Sequence, residues 1–268
     1  THYTESAGHA RHMARQYAPT EGVLIADGGD GTFSETINGW LEQPERGEPA
    51  FLLVPLGTGN DFARDQKLPA DAETLAAIAM DPRIREIDLA HLTYQGTSGT
   101  ESCYYVVGAT VGFSAEVTRF FCQLPRLLPG TAQYLFSLLV SLIRWKNVTA
   151  EIESDGDLLS TSNLFNLNIA NTRFYGGGMY SSPRALADSG QLEMVGMELN
   201  KLQVLKAMPN NYNGNFDDVQ GVTQKPVFEM SVRTPVPVPV QADGEYLGTT
   251  PISICVHPGL LKLAVPAG

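Results

Sequence analysis

Apolar residues follow two different rhythms along this chain. In the first part the runs are separated by helical patterns. Ala7, Ala10, Met13, Ala14 and Tyr17 place a helix near the start, and Gly22-Val-Leu-Ile-Ala26 suits a buried strand. Phe33, Ile37, Trp40 and Leu41 then recur at helical spacing and predict a helix over 32–42. Residues 43–49 read as a loop, Phe51-Leu-Leu-Val-Pro55 as a second buried strand, 71–80 as a helix and 84–89 as a strand.

Beyond about Asp88 the rhythm shortens. Runs rich in Val, Tyr, Thr and Ile at 102–107, 148–152, 163–170, 191–197, 227–233 and 252–256 are separated by turn residues, which predicts an antiparallel sandwich or barrel. Ser154-Asp-Gly-Asp157 reads as a hairpin turn. Pro235, Pro237 and Pro239 mark an edge or an extended linker, because proline removes ladder donors. Gln241-Ala-Asp-Gly-Glu245 reads as another hairpin turn, and 252–265 as closing strand residues with a turn at His257-Pro258. One long helix interrupts this half, with Leu135, Leu138, Leu139, Leu142 and Ile143 at i, i+3, i+4, i+7 and i+8. It is too short and too broken by Gln133, Ser137 and Arg144 to span a bilayer, and the plain expectation is a helix covering the sheet. The expected architecture is an α/β N-terminal domain over 1–87 and a β-rich sandwich domain over 88–268.

Composition narrows the function. Apolar residues make up 43 % of the 268, enough for a packed core. The net charge of −11 argues against a nucleic-acid partner, which needs a basic face. It also argues against general adhesion to anionic lipid, though a local basic patch could still dock. Cys103, Cys122 and Cys255 are scattered and odd in number, which fits neither a disulfide framework nor a zinc site. With no charged-then-apolar leader, the expected setting is reduced and cytoplasmic. His9 and His12 have a metal-compatible spacing, but no third ligand follows, so a solvated helix face is the expectation.

The chemistry centres on Ala26-Asp-Gly28-Gly29-Asp30-Gly31-Thr32-Phe-Ser-Glu35. Its glycines lie between a strand and a helix, where free N–H groups favour an anion and missing side chains allow close approach. Thr32 and Glu35 fit a capping box. A phosphate cradle and an ordinary Gly-rich turn both remain open on chemistry alone. The Pro55-Leu-Gly57-Thr58-Gly59-Asn60-Asp61-Phe-Ala-Arg64 block repeats the strand–glycine–helix pattern, with Asn60 and Asp61 as helix caps. Two such edges side by side could form one pocket at the ends of parallel strands. There is no GxxxxGK[ST], no HRD or DFG block, no complete hydrolase elbow at Gly112–Glu116 and no GxGxxG turn.

Gly28–Thr32 resembles the GGDGT signature of the diacylglycerol kinase, sphingosine kinase and NAD kinase superfamily. Pro55–Arg64 is similar to the PxGTxNDFAR block of its bacterial lipid-kinase branch. The resemblance implies an NAD kinase-like N-terminal domain, with ATP and Mg²⁺ as cofactors. It implies a nucleotide pocket from Thr4, Gly28, Gly29, Asp30, Gly31, Thr32, Glu35, Gly57, Thr58, Asn60 and Asp61, with Asp30 acting through magnesium or the ATP network. Asp243-Gly244-Glu245 resembles the family's DGE motif, which implies Glu245 as proton acceptor and Asp243 tied to metal. Arg173–Met179, Pro183–Ala185 and Asp188–Met194 resemble a segment that holds a structural magnesium ion, implying Asp188, Ser189 and Gln191 as its site; Ser189 departs from the usual aspartate. The family's first strand and its Asn-Pro-x-Ser/Ala-Gly turn are not found here, so a truncated chain is expected. The acceptor is expected to be a lipid hydroxyl, by default diacylglycerol, with the long helix, Arg126, Leu127, Leu128 and Lys146 as a route for its tail. Peripheral contact with membrane lipid is expected, and a homodimer is compatible with the sequence. The rivals are an NAD kinase-like enzyme and a non-catalytic lipid-binding pseudokinase.

Overall fold

The computed structural model describes residues 2–125 and 130–266. The first part runs α1 (His9–Tyr17), β1 (Val23–Gly28), α2 (Asp30–Leu41), β2 (Ala50–Pro55), α3 (Asp61–Gln66) and α4 (Ala72–Met80). Then follow β3 (Arg83–Gly96), β4 (Gly99–Tyr105), β5 (Gly108–Gly112), α5 (Phe113–Gln123), α6 (Gly130–Arg144), β6 (Val148–Ser154), β7 (Asp157–Leu164), β8 (Asn166–Ala170) and β9 (Leu192–Met197). The chain ends with α7 (Lys201–Ala207), α8 (Asn210–Asn213), β10 (Val222–Val227), β11 (Glu229–Arg233), β12 (Pro239–Ala242) and β13 (Glu245–Val265). This is an α/β N-terminal part joined to a β-rich sandwich.

β1 and β2 pair in parallel, and β2 meets β13 in parallel at Phe51 and Leu263. Elsewhere β13 pairs antiparallel with β3, β11 and β12. Thus one long strand joins the parallel and antiparallel regions. The antiparallel strands follow the path β10-β9-β8-β5-β12-β13-β11-β6-β7. Met194 of β9 and Ile152 of β6 lie far apart along that path yet share one core, so the strands wrap around it.

A second core sits under the parallel strands. Phe33, Ile37 and Trp40 of α2 pack on Phe51 and Phe62, and Leu261 and Leu263 of β13 join them. The Asn38 amide pins α2 to β4, donating to the Tyr104 carbonyl at 2.8 Å and accepting its N–H at 2.8 Å.

Several expectations change. The run 163–170 is two strands, because the backbone leaves β6 at Leu164 and enters between β5 and β9 at Asn166. His257-Pro258 is a register shift inside β13 rather than a turn. The long helix α6 reaches the core with Leu138 and Leu142, while Leu135, Leu139 and Ile143 are exposed. Arg126, Leu127 and Leu128 lie outside the described residues. The 154–157 hairpin is present, with Asp155 and Gly156 in left-handed conformations as a type I′ turn requires.

Leu263 is fully buried in the core under β1 and β2, some two hundred residues from their partners in sequence. Leu263→Ala is expected to cost about 2–5 kcal/mol, the range for a buried leucine cavity. Urea denaturation would read this, with the α2 region losing protection from hydrogen exchange.

Candidate active site

The two glycine turns lie against each other. A Cβ on Gly57 would stand 2.4 Å from the Gly29 Cα and 2.8 Å from Asn60 Oδ1. Real Cβ atoms do not approach so closely, so glycine is required for this contact. Gly29 is the N-cap of α2, in extended conformation, which starts the helix at Asp30.

That start point explains where the acidic side chains go. Asp30 points across to α3, whose first N–H groups it caps: Asp61 N–H donates to one carboxylate oxygen at 2.8 Å and Phe62 N–H to the other at 3.0 Å. A carboxylate at a helix start satisfies free donors and complements the dipole. Asn60 and Asp61 were expected to cap this helix themselves. Instead Asn60 is left-handed and its amide donates back to the carbonyls of Pro55 and Gly57, at 3.1 and 2.7 Å. Asp61 binds the Arg64 guanidinium at 2.7 Å and accepts the Gly177 N–H at 2.7 Å. Burial pushes the Asp61 carboxyl up, with Asp30 adding to the shift and the Gly177 N–H opposing it.

The Thr32–Glu35 capping box does not form. Glu35 instead accepts the N–H groups of Gly8 and Ala10, at 2.7 and 3.2 Å, and so holds the start of α1. Thr4 lies in the exposed segment just before it.

β12 and β13 bring the third motif to the same place. Asp243 and Gly244 are both left-handed, forming a two-residue hairpin turn. Beyond the turn, Glu245 Oε1 lies 3.7 Å from where a Cβ on Gly31 would sit. Glu245 is exposed as a residue, yet partial desolvation pushes its carboxyl above the usual glutamate range. Glu35 and Asp243 add to that shift, and Arg11 opposes it.

Asp243 behaves differently. It is buried, and its oxygens accept the N–H groups of Val106 at 3.0 Å, Val107 at 2.9 Å and Gly108 at 3.2 Å. Burial pushes it up to about 6 despite these bonds and the Ser34 hydroxyl. In this geometry Asp243 clamps the β4–β5 turn.

Other expected residues fall elsewhere. The Ser189 hydroxyl bonds the carbonyls of Leu186 and Gln191, at 2.8 and 3.1 Å, and Asp188 is exposed. These residues do not join the glycine turns; Gly190 donates instead to Asp88 at 2.6 Å. Among the described residues no group of three or more His, Cys, Asp or Glu is placed to hold a metal. A cavity of about 410 Å³ lined by His91, Glu153, Arg233 and Cys255 contains none of the motif residues.

The 173–179 segment, quoted from the sequence only for its likeness to a magnesium-holding stretch, completes the arrangement beside the second turn. Gly177 Cα lies 3.7 Å from where a Cβ on Gly59 would stand, so the 176–178 glycines flank the second turn. Arg173 secures that segment by binding the buried Asp65 carboxylate at 2.8 Å. The i, i+3 spacing of Asp61 and Arg64 was a visible signal; the Arg173–Asp65 pair, 108 positions apart, had none.

Three substitutions test this geometry. Gly57→Ala is expected to lower stability by about 1–3 kcal/mol through overpacking against Gly29. Gly31→Ala, which meets only Glu245 Oε1 at ordinary contact distance, is expected to leave the urea midpoint nearly unchanged. Asp243→Asn places donors against the Val106–Gly108 N–H groups and is expected to cost about 1–3 kcal/mol. The same denaturation series would measure it.

Comparisons with known proteins identify the family. Residues 1–92 match the model of the diacylglycerol kinase catalytic domain, and residues 107–265 match the YegS C-terminal NAD kinase beta sandwich-like domain. A Pseudomonas aeruginosa protein named "Probable lipid kinase YegS-like" is 30 % identical over 280 residues, covering 97 % of this chain and 82 % of that protein. A Mycobacterium tuberculosis protein named diacylglycerol kinase is 28 % identical over 261 residues, covering 96 % and 81 %. The crystal structure of a diacylglycerol kinase from Bacillus anthracis superposes with a TM-score of 0.70 at 19 % identity, covering 98 % of this chain and 83 % of that one, and so shares the fold. With both family models matched in chain order and their motifs converging on one site, the chain belongs to the YegS-like and diacylglycerol kinase family of lipid kinases.

Proposed function

We propose that this protein transfers the γ-phosphate of ATP to the hydroxyl of a lipid, with diacylglycerol as acceptor and phosphatidic acid as product. The observation that carries this reading is Glu245 lying beside Gly31 at the start of α2. A carboxylate with a raised pKa sits next to a helix N-terminus, where N–H groups favour phosphate oxygens.

The residues present fit a nucleotide. A Cβ on Gly31 would meet only Glu245 Oε1, at 3.7 Å, and one on Gly177 nothing within 4 Å, so both turns leave room for phosphate oxygens. Asn60 Oδ1 is buried without a partner beside Gly57, and a hydroxyl or amino group of a nucleotide would satisfy it. Thr32 and Thr58 offer hydroxyls nearby. Magnesium commonly binds through one or two carboxylates and the substrate's phosphates. Asp30 is the carboxylate that would help to hold it, through lone pairs its two N–H bonds leave free, while Glu245 stays available for the proton. When bound, the ion would neutralise charge on the phosphates.

The chain's own groups then divide the work. The α2 N–H groups orient the phosphates, and Asp30 keeps the second glycine turn in register with the first. Glu245 accepts the proton of the lipid hydroxyl as its oxygen attacks, and Asp243 holds the turn that aims it. Phosphoryl transfer depends mainly on positioning and charge stabilisation.

Labelled ATP, Mg²⁺ and diacylglycerol should give label in the organic phase. Glu245→Gln should lower that rate by about 10²–10⁴-fold, the usual worth of a general base, without lowering stability. Because its carboxyl is pushed up, wild-type kcat/KM should rise with pH through a midpoint above that of an ordinary glutamate. Label in NAD instead of lipid, or lipid binding without turnover, would overturn the proposal.

A further inference from the structure

Helix α6 is oriented with its polar residues inward. Gln133, Ser137 and Ser141 are buried, while Leu135, Leu139 and Ile143 are 53, 60 and 76 % exposed. The inward face docks on α5, where the Gln133 amide donates to the Phe121 carbonyl at 3.2 Å; the Ser137 hydroxyl donates to the Gln133 carbonyl of its own helix. A helix facing water would place these side chains the other way round.

The exposed stripe continues onto the neighbouring helices. At one end the Lys201 ammonium donates to the Ile143 carbonyl at 2.6 Å, seating α7 beside the last turn of α6. At the other end Tyr212 of α8 lies close enough to raise the Tyr134 phenol further. Leu202, Leu205 and Met208 between them are exposed. Contiguous apolar surface of this kind marks an interaction site.

Charge selects the partner. The chain carries 29 Asp and Glu, yet residues 117–150 and 199–216 contain none. Those two segments form α6, α7, α8 and most of α5, and they supply Arg144, Lys146, Lys201 and Lys206. In a protein of net charge −11 this is a positive, apolar face on an acidic body. A water-soluble acidic partner would match the charges but leave the leucines unexplained. An anionic bilayer matches both, since apolar side chains enter the headgroup boundary while Lys and Arg meet lipid phosphates.

We propose that the α6–α7 face docks this protein on the surface of an anionic membrane. The inference rests on the lipid-kinase reading for its purpose and on the α6–α7 face for its location. The face lies one helix from the site, because α5 packs against both α6 and the β12–β13 hairpin. Arg119 of α5 stands near Tyr246, next to Glu245. A docked protein would therefore keep Glu245 close to the lipid surface.

The test is flotation of the whole chain with vesicles of phosphatidylcholine, with and without phosphatidylglycerol. Binding is expected only to the anionic vesicles and should weaken as salt is raised. The double variant L139E/I143E should bind at least roughly tenfold more weakly, as it removes two inserting side chains. Its thermal melt should stay unchanged, because both positions are exposed. K146E/K206E should lose the preference for phosphatidylglycerol. Failure of the wild type to float, or equal flotation of L139E/I143E, would overturn the proposal. So would a dimer in analytical ultracentrifugation that L139E/I143E abolishes while vesicle binding is absent, since a second copy would then cover the face. Flotation needs no ATP, so docking without lipid labelling would retain this surface and overturn the kinase reading. Labelling of a short-chain, water-dispersed diacylglycerol without flotation would do the reverse.

Discussion

The backbone contact between Gly29 and Gly57 is the constraint on which the rest of the site depends. Two parallel strands end side by side, and their turns can approach this closely only without side chains. Once they touch, Asp30 reaches the free N–H groups of α3, and the two helices start from one point. Asp61 is then placed to hold the Gly177 N–H, which brings a third glycine segment to the pair. A short chain of N–H-to-carboxylate hydrogen bonds thus assembles groups that are far apart in sequence.

The acidic side chains around this point differ in what they are free to do. Asp30, Glu35, Asp61 and Asp243 each accept backbone N–H groups and act as fasteners between segments. Glu245 is the member of the set for which no such bond binds the carboxylate, while its surroundings raise its affinity for a proton. The site therefore combines fixed negative charges, which hold shape, with one that can exchange a proton.

Much of this was legible in the sequence because it is local. The strands, the α2 and α4 helices and both glycine turns announce themselves through apolar spacing and turn residues. The Thr32–Glu35 pattern misled because α2 begins at Asp30, two residues earlier than its apolar spacing shows; Glu35 then lies past the first turn and faces α1. Asp243 gave no sign of its role, since its partners are 135 to 137 positions away. Helix α5 was missed although Phe113 and Val117 are four apart, because Gly112–Glu116 was weighed only as a catalytic turn. The Asn200–Gln203 capping box at α7 was equally local and equally readable. Burial of the polar face of α6 could not be read, because apolar spacing alone does not say which side meets the protein.

Strand β13 carries the Glu245 carboxylate at its first residue and a core leucine near its last. The two family modules meet this chain in sequence order, but the strand that completes the first is encoded at the end of the second. A chimaera that exchanged residues 1–92 for those of a relative would set a foreign β2 against the resident Leu261 and Leu263. An exchange that kept this packing would have to carry the end of β13 together with β1 and β2.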